Sequence, residues 1–464
     1  MLEPLYTAAE MRAAEEAYPG TVDELMERAG QSVAQHALED FGDARHFTVV
    51  CGGGSNGGDG RVAARVLEEA GRDVLVVEAK PEDEAKELGD PDVLVDALFG
   101  TGFEGEPRAG AARLIEQIND LGAPVLSVDL PSGVDASTGE VAGAAIDADL
   151  TVTFHGEKVG HYVTPGAFLA GYVEVADIGL EPVETASGRV TRSILERVPR
   201  RSPEGNKYVS GHVVVVGGSG GMTGAPCLSA LAAFRSDAGY VTLAGPDPAV
   251  LVFEQRVLEA VKRPLASDGE GLVSADAAGT VLELVEKAGA LAIGPGLGRS
   301  DGTKELVRRV LAEATLPAVV DGDALWALEP AEWPAPRVLT PHSGELGRLI
   351  DKEASWIDAH RVDAVQRAVE RFGCVVLLKG AGTLIAAPGG GVLVDGGDPS
   401  LATAGTGDVL TGVIAAFLAK GMDARLAAAA GATAHHWAAI EASRGAGMMA
   451  SDLLAALPKV LSGH

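Results

Sequence analysis

Short, largely apolar runs alternate along the chain with segments whose apolar positions return every three or four residues. In the first half, the runs 47–51, 74–77, 93–96, 125–129 and 150–154 predict buried strands, and 63–70 and 111–121 predict helices between them. Strands that are apolar on both faces and separated by helices imply a parallel sheet covered on both sides, an α/β fold of three α/β/α layers. The second half repeats the alternation, with strands predicted over 212–216, 239–243, 290–293, 318–321, 338–340, 375–379 and 383–386. Residues 409–419 form the longest apolar run, read as a buried helix and too short for the ~18 residues of a membrane span.

Two stretches break the periodicity. Residues 181–189 are polar with Pro and Gly, and 199–211 (PRRSPEGNKYVSG) are basic with Pro and Gly. A β-branched run followed by a Gly-rich loop restarts at His212, which marks a second α/β domain. The expected domains are 1–190 and 200–464, with the boundary near 185–205. At roughly 150 residues per domain, 464 residues allow two or three units with cores of their own. No short-period repeat is visible, which excludes a solenoid.

Composition narrows the function. The formal charge is −29, with 11 Lys against 26 Arg. Nucleic acid and anionic membrane surfaces both require a basic footprint, so neither is an expected partner. Anionic ligands must then be held by backbone N–H groups or a few local cations. A Lys-poor acidic surface fits either a salty cytoplasm or an ordinary acidic enzyme. The three cysteines, Cys51, Cys227 and Cys374, have no C-x-x-C spacing and form neither a disulfide framework nor a zinc site. No basic-then-apolar signal opens the chain, and the expected location is the cytoplasm.

The candidate chemistry of the first half stands at strand ends. The strand ending at Cys51 runs into GGGSNGGDG (52–60), a Gly-rich segment read as a loop before the helix. Such a loop either cradles phosphate on its N–H groups or simply turns the chain. Asn56 and Asp59 inside it favour ligand contact. Asp96 ends one strand ahead of a Gly100–Thr101–Gly102 loop, and Asp129 ends the next ahead of Pro131, Ser132 and Gly133. Carboxyl ends of parallel strands converge on one crevice. Asn56, Asp96 and Ser132 are therefore plausible oxygen ligands for a hard or monovalent cation, and Asp129 a plausible acid/base. Capping and turn formation are the competing uses of each Asp.

The motifs SNGGDG, DALFGTG, VDLPSG and TFHGEKVGH, in this order, resemble the NAD(P)HX epimerase domain over roughly residues 1–180, and ELMERAG (24–30) resembles that family's N-terminal helix. The resemblance implies a Rossmann-like fold and a potassium ion (K+) held by Asn56, Asp96 and Ser132. It implies substrate contacts from Ser55, Asn56, Gly57, Gly58, Asp59, Gly100, Thr101, Gly102, Phe103, Glu104, Gly105, Glu106 and Asp129, with Asp129 and Lys158 as the acid/base pair. Ser55 departs from the family, which usually has Asn there; altered contacts rather than lost activity are expected.

In the second half, LATAGTGDVLTGVIAAFLA (401–419) places a Gly-x-Gly-Asp turn at the start of a long apolar helix. The helix N-terminus makes an anion hole, and Asp408 beside it can take a proton from a substrate hydroxyl; the competing reading is an N-capping Asp. This turn resembles the ribokinase-like superfamily. Together with GHVVVVGGSGGMTGAP, LAIGPGLG, VVDGDAL, VLTPHSGELGRL and VLLKGAGTLIA it resembles the ADP/ATP-dependent NAD(P)HX dehydratases over about residues 200–460. That implies contacts from Ala225, Gly296 or Gly298, His342 and Asp408 to the hydrated nicotinamide nucleotide. Lys379, Gly380, Ala381, Gly382, Thr383 and Gly407 would contact ADP (or ATP). Asp321 and Asp323 are weaker candidates for organising Mg2+ or the sugar. His435 and His436 lack the spacing of a helical metal pair and are read as packing.

The chain is thus expected to repair hydrated nicotinamide cofactors, NADHX and NADPHX, as an isomerase and a lyase in one. ADP is the expected donor, with ATP open. Two other readings remain: a kinase of a hydroxymethyl-pyrimidine or small sugar in the second half, and a non-catalytic binding module in the first. A homo-oligomer is also expected, with the Ala-rich segment 427–442 as a possible interface.

Overall fold

A computed structural model describes residues 1–79, 86–201, 210–442 and 445–462. Most of the basic stretch 199–211 lies outside the described residues. The chain divides into two compact units: Pro4–Gly188 with Asp358–Arg361, and Arg189–Ile357 with Val362–His464 and Met1–Glu3.

The first unit is built on a six-stranded sheet in the order Asp73–Glu78, His46–Cys51, Val93–Ala97, Val125–Val128, Leu150–Phe154, Tyr172–Ala176, with every neighbouring pair parallel. Its central strands are buried on both faces, as their apolar runs require. Asp73–Glu78, expected to be buried as well, is an edge strand, with Leu75 43% and Val76 38% exposed. A Val/Leu run reports strand propensity and not position in the sheet.

The Gly-rich segment departs most from expectation. The loop is only Gly52–Gly54; the helix begins at Ser55 and runs to Glu69, so Asn56, Gly57, Gly58, Asp59 and Gly60 are helical. Glycine inside a helix costs about 1 kcal/mol relative to Ala. Here each permits close approach: a Cβ on Gly57 would lie 1.9 Å from the Gly52 carbonyl oxygen, on Gly58 2.4 Å from Met26 Sδ, and on Gly60 2.5 Å from Ala97 Cβ. The helix Val22–Asp40, which contains ELMERAG, packs against it in the same way, Gly30 facing Val62.

The second unit has an eleven-stranded sheet. From one edge the order is Leu2–Pro4, Gly188–Val190, Val392–Asp395, Thr383–Ala386, Val375–Leu378, Arg337–Leu339, Ala318–Val320, Ala290–Ile293, His212–Val216, Tyr240–Pro246, Val261–Leu265. From Val375–Leu378 to Val261–Leu265 all pairs are parallel. Thr383–Ala386 is antiparallel to both neighbours, since the four residues 379–382 can close a hairpin but not a crossover. The strands Leu2–Pro4, Tyr172–Ala176, Gly188–Val190, Val261–Leu265 and Val392–Asp395 carry no long apolar run, and the sequence pattern does not predict them.

The helix Thr406–Ala419 is apolar on every side because it is buried on every side. It crosses Gly224–Arg235 so closely that a Cβ on Gly412 would lie 2.1 Å from the Ser229 carbonyl oxygen. The helix Ala424–Ala442, whose segment 427–442 was a possible interface, buries its alanines 427–430, 432, 434, 438 and 439 within the unit's own core. Among the described residues no helix is long and apolar enough to cross a membrane.

Candidate active sites

In the first unit, side chains at and just past the ends of Val93–Ala97, Val125–Val128 and Leu150–Phe154 meet in one crevice. Asp129 stands one residue beyond its strand, with φ of 69°, at the centre of a tight turn closed by Leu130 N–H donating to the Val128 carbonyl at 2.9 Å. A left-handed non-glycine residue costs about 1–3 kcal/mol and persists only where its surroundings hold it. Those surroundings are specific. Fully buried Lys158 donates from Nζ to Asp129 Oδ1 (2.7 Å), Thr153 Oγ1 (2.6 Å) and the Phe154 carbonyl (3.0 Å). Thr101 N–H donates to Asp129 Oδ2 at 3.1 Å. Burial pushes the Asp129 carboxyl up, but the charge and hydrogen bond of Lys158 outweigh it and hold the group below its usual range.

Asp59, buried on the adjoining helix, behaves oppositely. Burial, then the charges of Asp129 and Glu15, push it up to about 8, so it carries a proton at neutral pH. Asn56, Asp59, Gly100, Thr101, Gly102 and Asp129 share a cleft of about 580 Å³. Phe103 stacks on Phe99 with centroids 4.8 Å apart, and with Glu104 and Glu106 also lines an adjoining cleft of about 410 Å³. Ser55 is exposed at the helix start, which no side chain caps, so its N–H groups are open to an anion.

Asp96 lies fully buried beneath this cleft. It accepts hydrogen bonds from Ser127 Oγ (2.9 Å), Ser132 N (2.9 Å), Ser132 Oγ (2.6 Å) and Leu98 N (3.2 Å). Burial raises its pKa, and among the described residues it has no cationic partner. The amide oxygen of Asn56 lies on the same side as Asp129 Oδ2, at 2.9 and 3.1 Å from where a Cβ on Gly100 would stand. Asp96 and Ser132 are thus bonded to each other, and a monovalent cation using them as oxygen ligands would replace some of these hydrogen bonds.

In the second unit, the Gly405–Asp408 turn opens the buried helix at Thr406, with Gly405 at φ 90°. Asp408 is the third helical residue and does not cap the helix. It is half-buried; burial first, then the charge of Asp321, push it up to about 7, against the pull of Lys379. Lys379 Nζ donates to Asp321 Oδ1 at 2.9 Å and stands 3.2 Å from where a Cβ on Gly407 would be. Thr411 Oγ1 donates to the other Asp321 oxygen at 2.8 Å. Burial opposes charge on both partners, but the pairing wins: Asp321 is held low and Lys379 high. The turn therefore presents backbone N–H groups, a fixed ammonium and a carboxylate poised near neutrality at one point.

The remaining candidates surround that point at the sheet's carboxyl end. Gly296 (φ 60°) packs against Ala225, its would-be Cβ 3.3 Å from that of Ala225. Gly298 N–H donates to Asp323 Oδ2 (2.9 Å), whose other oxygen accepts from Arg299 Nε (2.8 Å). Ser229 Oγ, on the helix of Ala225, donates to the Asp408 carbonyl at 2.8 Å. Lys379, Gly380, Ala381, Gly382 and Thr383 form the hairpin into Thr383–Ala386. His342 caps its helix: Nδ1 accepts from Gly344 N (3.0 Å), which leaves the proton on Nε2 of a side chain that is 61% exposed.

Residues 213–459 match the family described as NAD(P)H-hydrate dehydratase, and residues 22–90 and 76–160 match that described as YjeF-related protein N-terminus. A bifunctional NAD(P)H-hydrate repair enzyme of Moorella thermoacetica is 40% identical over 98% of this chain and 96% of its own length. The enzyme of the same description from Escherichia coli is 34% identical over 95% and 90%. The chain belongs to the bifunctional NAD(P)H-hydrate repair enzyme family. Among solved structures, an ADP/ATP-dependent NAD(P)H-hydrate dehydratase of Bacillus subtilis, co-crystallized with ATP/Mg2+, superposes with a TM-score of 0.53 at 27% identity, covering 59% of this chain and 96% of that one.

Asp321 and Asp323, candidates for organising Mg2+ or the sugar, accept hydrogen bonds here from Lys379 and Thr411 and from Gly298 and Arg299 respectively. Among the described residues no group of three His, Cys, Asp or Glu side chains could hold a metal. Lys379, expected only as a nucleotide contact, points at the Asp408 turn. Sequence reasoning misses Thr153, Ser127, His161, Thr411 and Ser229. For Ser127 and Thr153 the available signal is a polar residue interrupting an apolar strand; His161 and Thr411 lie inside quoted motifs, and Ser229 carries no local signal.

Proposed function

We propose that this chain interconverts the two epimers of NADHX and NADPHX in its first unit and dehydrates one of them to NAD(P)H in its second, with consumption of ADP (ATP being the alternative donor). The observation that carries the reading is that each unit places a carboxyl with a shifted pKa beside a buried lysine at the carboxyl end of its sheet, Asp129 with Lys158 in one and Asp408 with Lys379 in the other.

Dehydration needs help because hydroxide is a poor leaving group. Asp408, near half-ionised at neutral pH, takes the proton as the ring hydroxyl oxygen attacks the terminal phosphoryl group. The phosphorus–oxygen bond to the remaining nucleotide breaks and its electron pair leaves with that nucleotide. The carbon–oxygen bond to phosphate then breaks as the adjacent ring carbon gives up a proton to the departing phosphate, which forms the double bond of NAD(P)H. Lys379 and the N–H groups of the turn stabilise charge in both steps. Mg2+ would come with the nucleotide phosphates and offset their charge. Gly296, Gly298, Ala225 and His342 border the nicotinamide nucleotide, and the 379–383 hairpin with Gly407 the donor.

In the first unit, Asp129 and Lys158 exchange the proton at the hydrated ring while the 55–59 helix start and the 100–106 loop hold the phosphates. Asn56, Asp96 and Ser132 would hold K+, which supplies positive charge beneath an otherwise uncompensated Asp96. Ser55 keeps a hydroxyl at the open helix end. The protein works in the cytoplasm.

The test is recovery of dihydronicotinamide absorbance from mixed NADHX epimers with ADP or ATP added separately. Full recovery with one nucleotide establishes both activities. Recovery that stops with one epimer unused removes the first unit from the reading, and a phosphorylated product that accumulates makes the second a small-molecule kinase.

A further inference from the structure

The acid/base pair of the first unit is joined through a third residue. His161 is buried, 3% exposed, in the short turn that follows Lys158. Its Nδ1 accepts the main-chain N–H of Lys158 at 3.0 Å, and its Nε2 lies 2.9 Å from the main-chain carbonyl oxygen of Asp129. A carbonyl can only accept, so Nε2 carries the proton and Nδ1 does not; one neutral tautomer satisfies both bonds. The main-chain N–H of His161 also donates to the Lys158 carbonyl at 3.1 Å.

We propose that His161 is a positioning residue for epimerisation: its neutral imidazole ties the backbone of Asp129 to that of Lys158 and so fixes the distance and direction between carboxylate and ammonium. This rests on the assignment of Asp129 and Lys158 as the proton-transfer pair. The geometry gives a reason for such a tie. Asp129 sits at φ 69° in a strained turn, held through its N–H to the Val152 carbonyl at 2.8 Å and through its carbonyl to His161. Lys158 lies on a loop segment, with its backbone oriented by Tyr6 and by the ring of His161. Releasing the imidazole frees both residues at once. Burial, then the charge of Lys158, push the His161 pKa down to about 4, so the tie holds across the neutral range.

The experiment uses the full chain, whose two activities are separable. Epimerisation is followed with the disfavoured epimer as sole substrate and excess dehydration capacity. Dehydration is followed with the favoured epimer. His161→Leu is expected to lower the epimerisation kcat about 100-fold with KM nearly unchanged, the cost of misplacing a reacting group by about 1 Å. Dehydration should stay at its wild-type rate. His161→Gln, whose amide offers one acceptor and one donor, should recover most of the kcat. Nitrogen NMR of the wild-type ring should show a single neutral tautomer protonated at Nε2 between about pH 5 and 8.

A leucine variant within about 3-fold of wild type in kcat, a loss carried by KM alone, or a ring protonated at Nδ1 would overturn the inference. If the leucine variant does not fold, the ring tautomer and the glutamine variant decide. A wild-type chain that dehydrates but never epimerises would refute the assignment of the pair itself, which is a different result from a wild type that epimerises indifferently to His161.

Discussion

Replacing Asp408 with Asn removes a carboxylate whose ionised form the fold disfavours. Its pKa rises from 3.8 to about 7, chiefly through burial and then through Asp321. Each tenfold change in proton affinity is worth about 1.36 kcal/mol. A carboxyl raised in the folded state lends stability below the unfolded pKa, and that contribution is lost as pH climbs through the folded one. From about pH 4 to pH 7 the folded chain binds more protons than the unfolded, so stability falls with pH over that window and the penalty is complete above it. The upper bound is about 4 kcal/mol, and screening at a half-buried site reduces it to about 1–3. Asp408→Asn should therefore raise stability most near pH 8.5 and little near pH 4.5, while dehydration falls at least about 100-fold. All four tryptophans, Trp326, Trp333, Trp356 and Trp437, belong to the second unit, so urea unfolding followed by their emission isolates it. A gain equal at both pH values, or a loss at the higher one, would refute the argument that the site stores its reactivity as an ionisation penalty.

Asp129→Asn should abolish epimerisation while dehydration of the favoured epimer continues, so that recovery from a mixture halts with one epimer unused; it also strands the buried Lys158 ammonium, at about 3–5 kcal/mol, measurable as earlier thermal loss of protease resistance in the first unit. Gly57→Ala should cost the first unit more than about 2 kcal/mol, because the new methyl would lie 1.9 Å from the Gly52 carbonyl oxygen; heat-inactivation of epimerase against dehydratase activity reads it directly. Arg337→Leu should destabilise the tryptophan-reported urea transition by about 2–4 kcal/mol, since buried Arg337 satisfies the carbonyls of Leu311, Ala314 and Leu316 at 2.7–2.8 Å.

Much of the fold is legible because strands buried on both faces must be apolar throughout. The runs 150–154, 212–216, 290–293 and 383–386 match their strands end to end. Edge position is not legible: the run 74–77 reads as a buried strand yet forms an edge, Tyr172–Ala176 alternates, and Leu2–Pro4 is three exposed residues. The Gly-rich 55–60 segment misleads because glycine's low helix propensity is the local signal, whereas the close approach of Gly52, Met26 and Ala97 that offsets it is not local. The Ala-rich 424–442 helix leaves interface and core both open to a sequence reading, since small side chains suit either.

By itself the sequence determined which apolar runs form strands, that polar residues stand at their carboxyl ends, and which family's motifs those residues spell. These are properties of spacing and residue type, and they survive without coordinates. Only the tertiary structure decided that Lys379 faces the Asp408 turn, that Asp59 and Asp408 are raised while Asp129 and Asp321 are lowered, and that one imidazole joins Asp129 to Lys158. The physical reason is that a carboxyl's charge state is set by what is buried beside it, and a hydrogen bond between residues 32 apart exists only after the strands between them have paired.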